Sequence, residues 1–390
     1  MEIVKLKDVA EIVSGSTPKT NKKEYWEGRI YWITPADLEK KSNGYIYSTS
    51  RKITDEGFES SNLKMLPVGT VLLTTRAPIG KVALAGVELC TNQGFKNIIC
   101  NSAVLDSEYL YYYLASQYDQ LNALGRGATF KEISKKIVED IVIPLPPIKI
   151  QQKIVQVLDK AQSLIDKRKE QIELMDELIQ STFYEMFGDP AINKHSWTNS
   201  SIGESCYFVK DGPHKSLEYV ESGIPFVSVK DIIKGKWDFS EVRYISNEVY
   251  EENKSRCKPD YGDILYTKGG TTGYAKLVDI DIKFLNWVHI AVLKFDKDKI
   301  NGKYFEQMLN SKYCYEQAQK YTRGIANRDL VLSQMKRIRI VVPPLKLQNQ
   351  FAEIVQKIEV QKQLMEQSLT EMENNYNSLM QRAFSGKSFN

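Results

Sequence analysis

The string PPIKIQQ at Pro146 to Gln152 returns as PPLKLQN at Pro343 to Asn349, an offset of 197 residues (343 − 146), and each copy opens an uninterrupted helical pattern. One unit of the 390-residue chain is therefore written twice. Such a chain folds as two equivalent bodies and carries two equivalent sites. At this length one hydrophobic core is exceeded, and two domains with spacers fit.

The repeat keeps its register beyond the prolines. Ile154, Leu158, Ala161, Arg168, Ile172, Met175, Ile179, Thr182 and Met186 fall on Phe351, Val355, Ile358, Met365, Leu369, Met372, Tyr376, Leu379 and Ala383. These positions step by four and three, the seam of a coiled coil. Ile165 is left out because its counterpart is Lys362, and Arg168 interrupts the first copy where the second has Met365, so neither helix is expected to have a wholly apolar seam. From Ile154 to Met186 the helix would span about 50 Å at 1.5 Å per residue.

Upstream of the prolines the copies match in order but less closely. YWITPADL at Tyr31 to Leu38 resembles PFVSVKDI at Pro225 to Ile232, GTVLLTTRAPIG at Gly69 to Gly80 resembles GDILYTKGGTTG at Gly262 to Gly273, and RGAT at Arg126 to Thr129 lies where RGIA lies at Arg323 to Ala326. Strands are expected at Tyr31–Thr34, Thr70–Thr75, Val82–Ala85 and Lys96–Cys100, with partners at Phe226–Val229, Asp263–Thr267, Ala275–Val278 and Ile290–Phe295. Tyr109–Leu124 and Lys303–Tyr321 read as helices whose tyrosines pack the core. Ile141–Leu145 and Ile338–Val342 read as strands stopped by the proline pairs.

Composition excludes several classes. A hydrophobic fraction of 42% with 26% charged residues belongs to a globular domain, and no apolar run approaches the roughly 20 residues needed to span a bilayer. Met1 opens almost directly on a strand pattern, so no signal peptide and a cytoplasmic location are expected. The cysteines Cys90, Cys100, Cys206, Cys257 and Cys314 show no CxxC or Cys/His ligand spacing and are expected to be reduced thiols.

A net charge of +4, from 53 Lys and Arg against 49 Asp and Glu, does not by itself mark a nucleic-acid binder. Placement carries more. The loop SGSTPKTNKK, Ser14 to Lys23, holds Lys19, Lys22 and Lys23, and its counterpart VKDGPHKS, Val209 to Ser216, is again polar and basic.

Catalytic motifs fail. Gly80-Lys81 and Gly386-Lys387 lack the upstream P-loop glycine, since Thr75 and Gln381 occupy its place. The proline pairs lack the flanking amide and aromatic of an amino-methyltransferase motif. Pro259-Asp260 with Asp281-Ile282-Lys283 fits the loose PD…(D/E)xK pattern of magnesium nucleases, which is short enough to arise by chance. A stand-alone DNA enzyme, such a nuclease or a fused methyltransferase, stays as the alternative.

The duplicated domain, the PP(I/L)xxQ strings and the heptad helices together resemble the DNA specificity (S) subunits of type I restriction-modification systems, over essentially the whole chain. GSTP at Gly15 to Pro18, RAPIG at Arg76 to Gly80, TNQG at Thr91 to Gly94 and RGAT at Arg126 to Thr129 match as well, while the second domain departs with KDGPH, GGTTG and LNWVH. The resemblance implies an α+β architecture: two duplicated α/β target recognition domains separated by two long helices that form an antiparallel coiled coil with a pseudo-twofold axis. Its boundaries would be 1–145 for the first recognition domain, 146–188 for the central spacer, 189–342 for the second domain and 343–390 for the C-terminal spacer.

The resemblance further implies recognition without catalysis. Each domain would read half of a bipartite site in double-stranded DNA, and two methyltransferase (M) subunits docked on the helices would carry S-adenosylmethionine and methylate adenine N6. Two restriction (R) subunits can join in such systems, adding ATP and magnesium chemistry; this chain itself would hold no cofactor or metal.

Residues expected to touch DNA are Thr17, Lys19, Lys22, Arg76, Lys81, Asn92, Gln93, Arg126, Thr129 and Lys131 in the first domain. In the second they are Lys210, His214, Lys215, Lys268, Thr271, Thr272, Tyr274, Arg323, Asn327 and Arg328. Cations there can neutralise phosphates or fork onto guanine, and amides and hydroxyls can read base edges.

Overall fold

The structure is a computed structural model that describes residues 2–40, 44–125, 132–233, 235, 237–325 and 327–385. The chain divides into two compact units, residues 1–169 with 367–390, and residues 170–366. Each unit holds one globular domain and one stretch of each long helix, since those helices run Ile148–Phe187 and Leu345–Phe384.

In unit 1 the strands are β1 Glu2–Lys5, β2 Ala10–Ser14, β3 Trp26–Ile33, β4 Tyr45–Ile46, β5 Arg51–Ile53, β6 Val71–Thr74, β7 Val82–Ala85, β8 Cys90–Thr91, β9 Phe95–Cys100 and β10 Val142–Leu145. They form a five-stranded sheet in the order β2-β9-β6-β7-β4, a three-stranded sheet β5-β3-β8 and the pair β1-β10. Every side chain of β6 and β7 is buried, which is why these read as continuous apolar runs rather than alternating ones.

In unit 2 the strands are β11 Thr198–Ser201, β12 Cys206–Asp211, β13 Ile224–Val227, β14 Arg243–Ile245, β15 Ile264–Thr267, β16 Ala275–Leu277, β17 Leu285–Asn286, β18 Ile290–Phe295 and β19 Arg339–Val342. Their orders, β12-β18-β15-β16, β14-β13-β17 and β11-β19, repeat those of unit 1 without a counterpart of β4. In both units the first strand pairs antiparallel with the last, Glu2 opposite Leu145 and Thr198 opposite Val342, so each domain closes on itself just before its proline pair.

The sequence-based helices are each broken in two. Tyr109–Leu124 appears as Ser107–Ser116 and Tyr118–Ala123, and Lys303–Tyr321 appears as Gly302–Asn310 and Lys312–Tyr321. The second break has a local cause: the Ser311 hydroxyl accepts the N–H of Cys314 and starts a new helix. Strand β3 also begins earlier than its apolar run, because Trp26 pairs with Ile53 across a bulge before Ile30 pairs with the same residue.

The duplicated glutamine explains the duplicated motif. Gln151 is fully buried; its amide N–H donates to Val104 O and Pro146 O, both at 2.8 Å, and its carbonyl accepts the N–H of Asp106 at 2.8 Å. Gln348 repeats this with Lys299 O at 3.1 Å, Pro343 O at 2.7 Å and Asn301 N at 2.8 Å. Asp106 and Asn301 are the N-caps of Ser107–Ser116 and Gly302–Asn310, so one side chain ties the start of each long helix to the domain it leaves. Tyr109 and Tyr304 add a matching bond, from hydroxyl to Pro144 O at 2.8 Å and to Val341 O at 2.7 Å.

Within unit 1, Ile154, Val155 and Leu158 share a core with Met380 and Ala383, and Lys169 pairs with Glu373 at 2.9 Å. Within unit 2, Phe183 and Phe187 lie 5.8 and 5.4 Å from Phe351, and Lys362 donates to Asp176 at 2.7 Å. The residue numbers run oppositely in each set, as antiparallel helices require. Ile165, omitted from the expected seam, is buried at 3% exposure, so the heptad is unbroken there; its counterpart Lys362 instead reaches out to Asp176.

Candidate nucleic-acid interface

Three loops converge in unit 1. The Ser14–Lys23 loop leaves β2 and crosses the Asn92–Gly94 turn so closely that a Cβ on Gly15 would lie 1.9 Å from Asn92 O. Only glycine fits there without moving backbone. The crossing is fixed by Ser16 N–H to Thr91 O at 2.9 Å and by the Trp32 indole N–H to Ser16 O at 3.0 Å. It brings Thr17 onto Gln93, whose carbonyl accepts the Thr17 hydroxyl. Asn92 uses its side-chain carbonyl to accept Gly94 N–H at 2.9 Å, shaping the turn.

The Arg76–Gly80 loop joins through Thr75 N–H to Gly94 O at 2.7 Å. Arg76 is exposed and donates to Glu132 at 3.1 Å; Lys96, mostly buried, lies 3.7 Å from the same carboxylate. Burial pushes the Lys96 ammonium below its ordinary value, and Glu132 acts against that shift. Lys19 and Lys22 are exposed, with Lys22 over the Tyr25 ring at 5.0 Å. Lys81 is half-buried and 3.8 Å from Glu39. Arg126, Thr129 and Lys131 lie outside the described residues.

Unit 2 repeats the crossing with different side chains. A Cβ on Gly212 would lie 2.1 Å from Asn286 O, as Gly15 would meet Asn92. Around it, Lys268 N–H donates to His289 O at 2.8 Å, Gly270 N–H to Arg328 O at 3.0 Å and Leu330 N–H to Lys268 O at 2.7 Å, so four segments meet. Asp211, buried at the end of β12, accepts Arg256 at 2.9 Å, faces His214 at 3.1 Å and lies 3.7 Å from Lys268.

Placement of the expected residues differs one by one. Lys268 is 6% exposed and donates to Asp329 at 2.9 Å, so its ammonium belongs to the framework of the loops. Thr272 is buried, bonded to Thr322 at 2.9 Å and to Arg328 at 3.4 Å. Thr271, Arg323, Asn327 and Arg328 are exposed on the same loops. His214 and Lys215 lie on the loop after β12, with Lys215 3.5 Å from Glu252; Lys210 lies 5.3 Å from the Phe208 ring. Tyr274 holds Thr267, the residue before Lys268, through its backbone at 2.8 and 2.9 Å. Burial, with help from Glu306, pushes its hydroxyl up to about 12, and that hydroxyl lies toward Gly235.

Lys96 and Arg256 bear no local mark of their role, because their partners Glu132 and Asp211 are remote in the chain. Asp211 could have been noticed three residues before His214 in KDGPH.

The nuclease alternative is not supported. Asp260 is tied to Lys258 at 2.7 Å and Lys294 at 2.8 Å, while Lys283 donates to Asn247 at 3.2 Å, so both are already engaged with other partners. Among the described residues no group of three or more His, Cys, Asp or Glu side chains could hold a metal, and no helix is long and apolar enough to cross a membrane. The cysteines are free thiols; burial pushes Cys90, Cys100, Cys206 and Cys314 up to about 12 and Cys257 up to about 11.

Comparison with known proteins agrees with this geometry. The family model of the type I restriction modification DNA specificity domain matches residues 1–174 and 194–374. The type I restriction enzyme MjaIX specificity subunit of Methanocaldococcus jannaschii is 31% identical over 389 residues, covering 93% of this chain and 89% of that protein. The EcoR124I/EcoR124II specificity subunit of Escherichia coli is 32% identical over 191 residues, 47% of this chain and 46% of that one. Among solved structures, the fold is similar to the type I restriction-modification S subunit of M. genitalium, with a TM-score of 0.52 at 17% identity over 98% of this chain and 96% of that one. It is also similar to a chain from a structure of type I R-M complex assembly and conformational transition, with a TM-score of 0.66 at 18% identity over 99% and 98%. The chain belongs to the type I restriction-modification DNA specificity family, as a specificity subunit and not a catalytic one.

Proposed function

We propose that this chain reads a bipartite sequence in double-stranded DNA, one half-site per globular domain, and presents it to methyltransferase subunits. The observation that carries the reading is the repeated crossing of Gly15 over Asn92 and of Gly212 over Asn286. In both units it gathers polar and cationic loops at equivalent strand ends, although the loops themselves differ in sequence. Equivalent scaffolds with different loops suit two readers of different bases, because phosphate contacts position a protein while loop side chains specify the sequence.

In this reading residues 1–145 and 189–342 are the target recognition domains, and 146–188 and 343–390 are the spacer. The long helices set the distance between half-sites and dock two M subunits for adenine N6 methylation. Half-sites read from one face of B-DNA lie about 34 to 36 Å apart. Two R subunits complete the assembly where DNA is cleaved, and the cytoplasm is where the complex meets its DNA.

The experiment is to express the chain with its M subunits and map methylated adenines with the gene present and deleted. A bipartite motif that vanishes on deletion supports the reading. A purified chain that cleaves or methylates DNA alone would replace it with the enzyme alternative.

A further inference from the structure

One arginine recurs at the same place on the small sheet of each unit. Arg51 begins β5 opposite Trp32 of β3, with Ile53 opposite Ile30; Arg243 begins β14 opposite Phe226 of β13, with Ile245 opposite Ile224. Both arginines are exposed, and both lie over an aromatic ring, Arg51 at 3.6 Å from the Trp26 centroid and Arg243 at 4.8 Å from that of Tyr219. Among the described residues neither guanidinium pairs with a carboxylate. Arg76 and Arg256, by contrast, are each tied to an acid.

The surroundings place each arginine beside the converging loops of its own unit. Arg51 is also 5.4 Å from Trp32, whose indole N–H holds Ser16 O, and the Trp26 indole N–H donates to Lys19 O at 3.4 Å. The two rings under Arg51 therefore support the Ser14–Lys23 loop. In unit 2, Arg243 and Tyr219 line an open cavity of about 420 Å³ together with Gly270, Thr271, Trp287 and His289. Two of the diverged loops thus share one concave surface with Arg243. Lys230 in the same cavity is paired with Glu241 at 2.9 Å, so its charge is already answered there.

A guanidinium held over an aromatic ring has N–H donors to spare for a ligand and loses little freedom when it binds. Those donors match the O6 and N7 acceptors of guanine in the major groove. We infer that Arg51 and Arg243 are specificity-determining residues, each forking onto a guanine of its own half-site. The inference rests on the DNA-reading function proposed above and adds to it two residues and the base they read.

The test is methylation mapping of the complete complex carrying Arg51→Ala, Arg51→Lys, Arg243→Ala or Arg243→Lys. In parallel, the purified complexes are titrated with duplexes substituted one base pair at a time. Arg51→Ala is expected to relax one G·C position of one half-site by roughly ten- to a hundredfold, with the other half-site unchanged. Arg243→Ala should do the same in the opposite half. Lysine should rescue neither, because it cannot fork.

A uniform loss of affinity with the motif intact and a shallower salt dependence would make these arginines phosphate contacts and overturn the inference. So would an unchanged motif. If a variant methylates nothing, the duplex titration decides by the same criterion. Absence of any bipartite motif with the unaltered chain would instead overturn the DNA-reading function itself.

Discussion

The side-chain carbonyl of Gln348 accepts the backbone N–H of Asn301 at 2.8 Å, and Gln151 holds Asp106 in the same way at the same distance. In each case the held residue is a helix N-cap and the holder sits in the first turn of a long helix. The angle at which each helix leaves its domain is thereby set by a buried amide with three hydrogen bonds.

Removing that amide leaves a backbone N–H and two carbonyls without their partner, and one of the carbonyls, Pro146 O or Pro343 O, loses a fully buried bond. Gln151→Ala or Gln348→Ala is therefore expected to cost about 2–4 kcal/mol, because unsatisfied buried groups lose their full desolvation energy. Hydrogen exchange should place the loss in unit 1 for Gln151→Ala and in unit 2 for Gln348→Ala. A cost below about 0.5 kcal/mol would show that the glutamine only fills space.

Gly15 and Gly212 test the loop crossings. An added methyl in each would meet a backbone carbonyl oxygen, at 1.9 and 2.1 Å, that cannot move without shifting the Asn92 or Asn286 turn. Gly15→Ala should leave the chain folded with a cost of about 1–3 kcal/mol and weaken recognition at one half-site, and Gly212→Ala at the other. DNA titration with one half-site scrambled at a time reads this directly; equal loss at both halves would speak against independent crossings.

The length of the helices is open to test in the same complex. Inserting four residues near Arg168 adds about 6 Å of helix. Methylation mapping should then show a longer spacer between unchanged half-sites. An altered half-site with an unchanged spacer would count against the measuring role of the helices.

Asp37 gives a prediction in pH. Burial alone would raise its carboxyl, but hydrogen bonds from Ser50 and Thr34 outweigh that and hold it below 3.8. A folded value below the unfolded one means stability that is present above 3.8 and lost as pH falls through the folded value. As pH falls below 3.8 toward the folded value the unaltered chain should lose stability faster than Asp37→Asn, measured as denaturation midpoints. Parallel slopes would show that Asp37 ionises alike in both states.

Much of the fold was legible because duplication and buried strands leave strong local marks. Val82–Ala85 and Ile290–Phe295 coincide with their apolar runs, and the PPxKxQ string marks each junction because its glutamine serves the same three backbone groups twice. Less was legible in the interface. Lys268 looks like any loop lysine until Asp211 and Asp329 are seen around it, and nothing local distinguishes Arg51 from other surface arginines before it is found on Trp26. The break at Ser311 is hidden for a related reason, since a serine cap inside a periodic stretch leaves the periodicity itself unchanged.

Whether one chain carries two independent reading heads is decided by mapping methylated adenines in cells with the gene intact, deleted, or carrying Arg76→Ala. Two independent heads give a two-part motif that disappears on deletion and becomes degenerate in one half only in the variant. A pattern that survives deletion, or a variant altered equally in both halves, would contradict this.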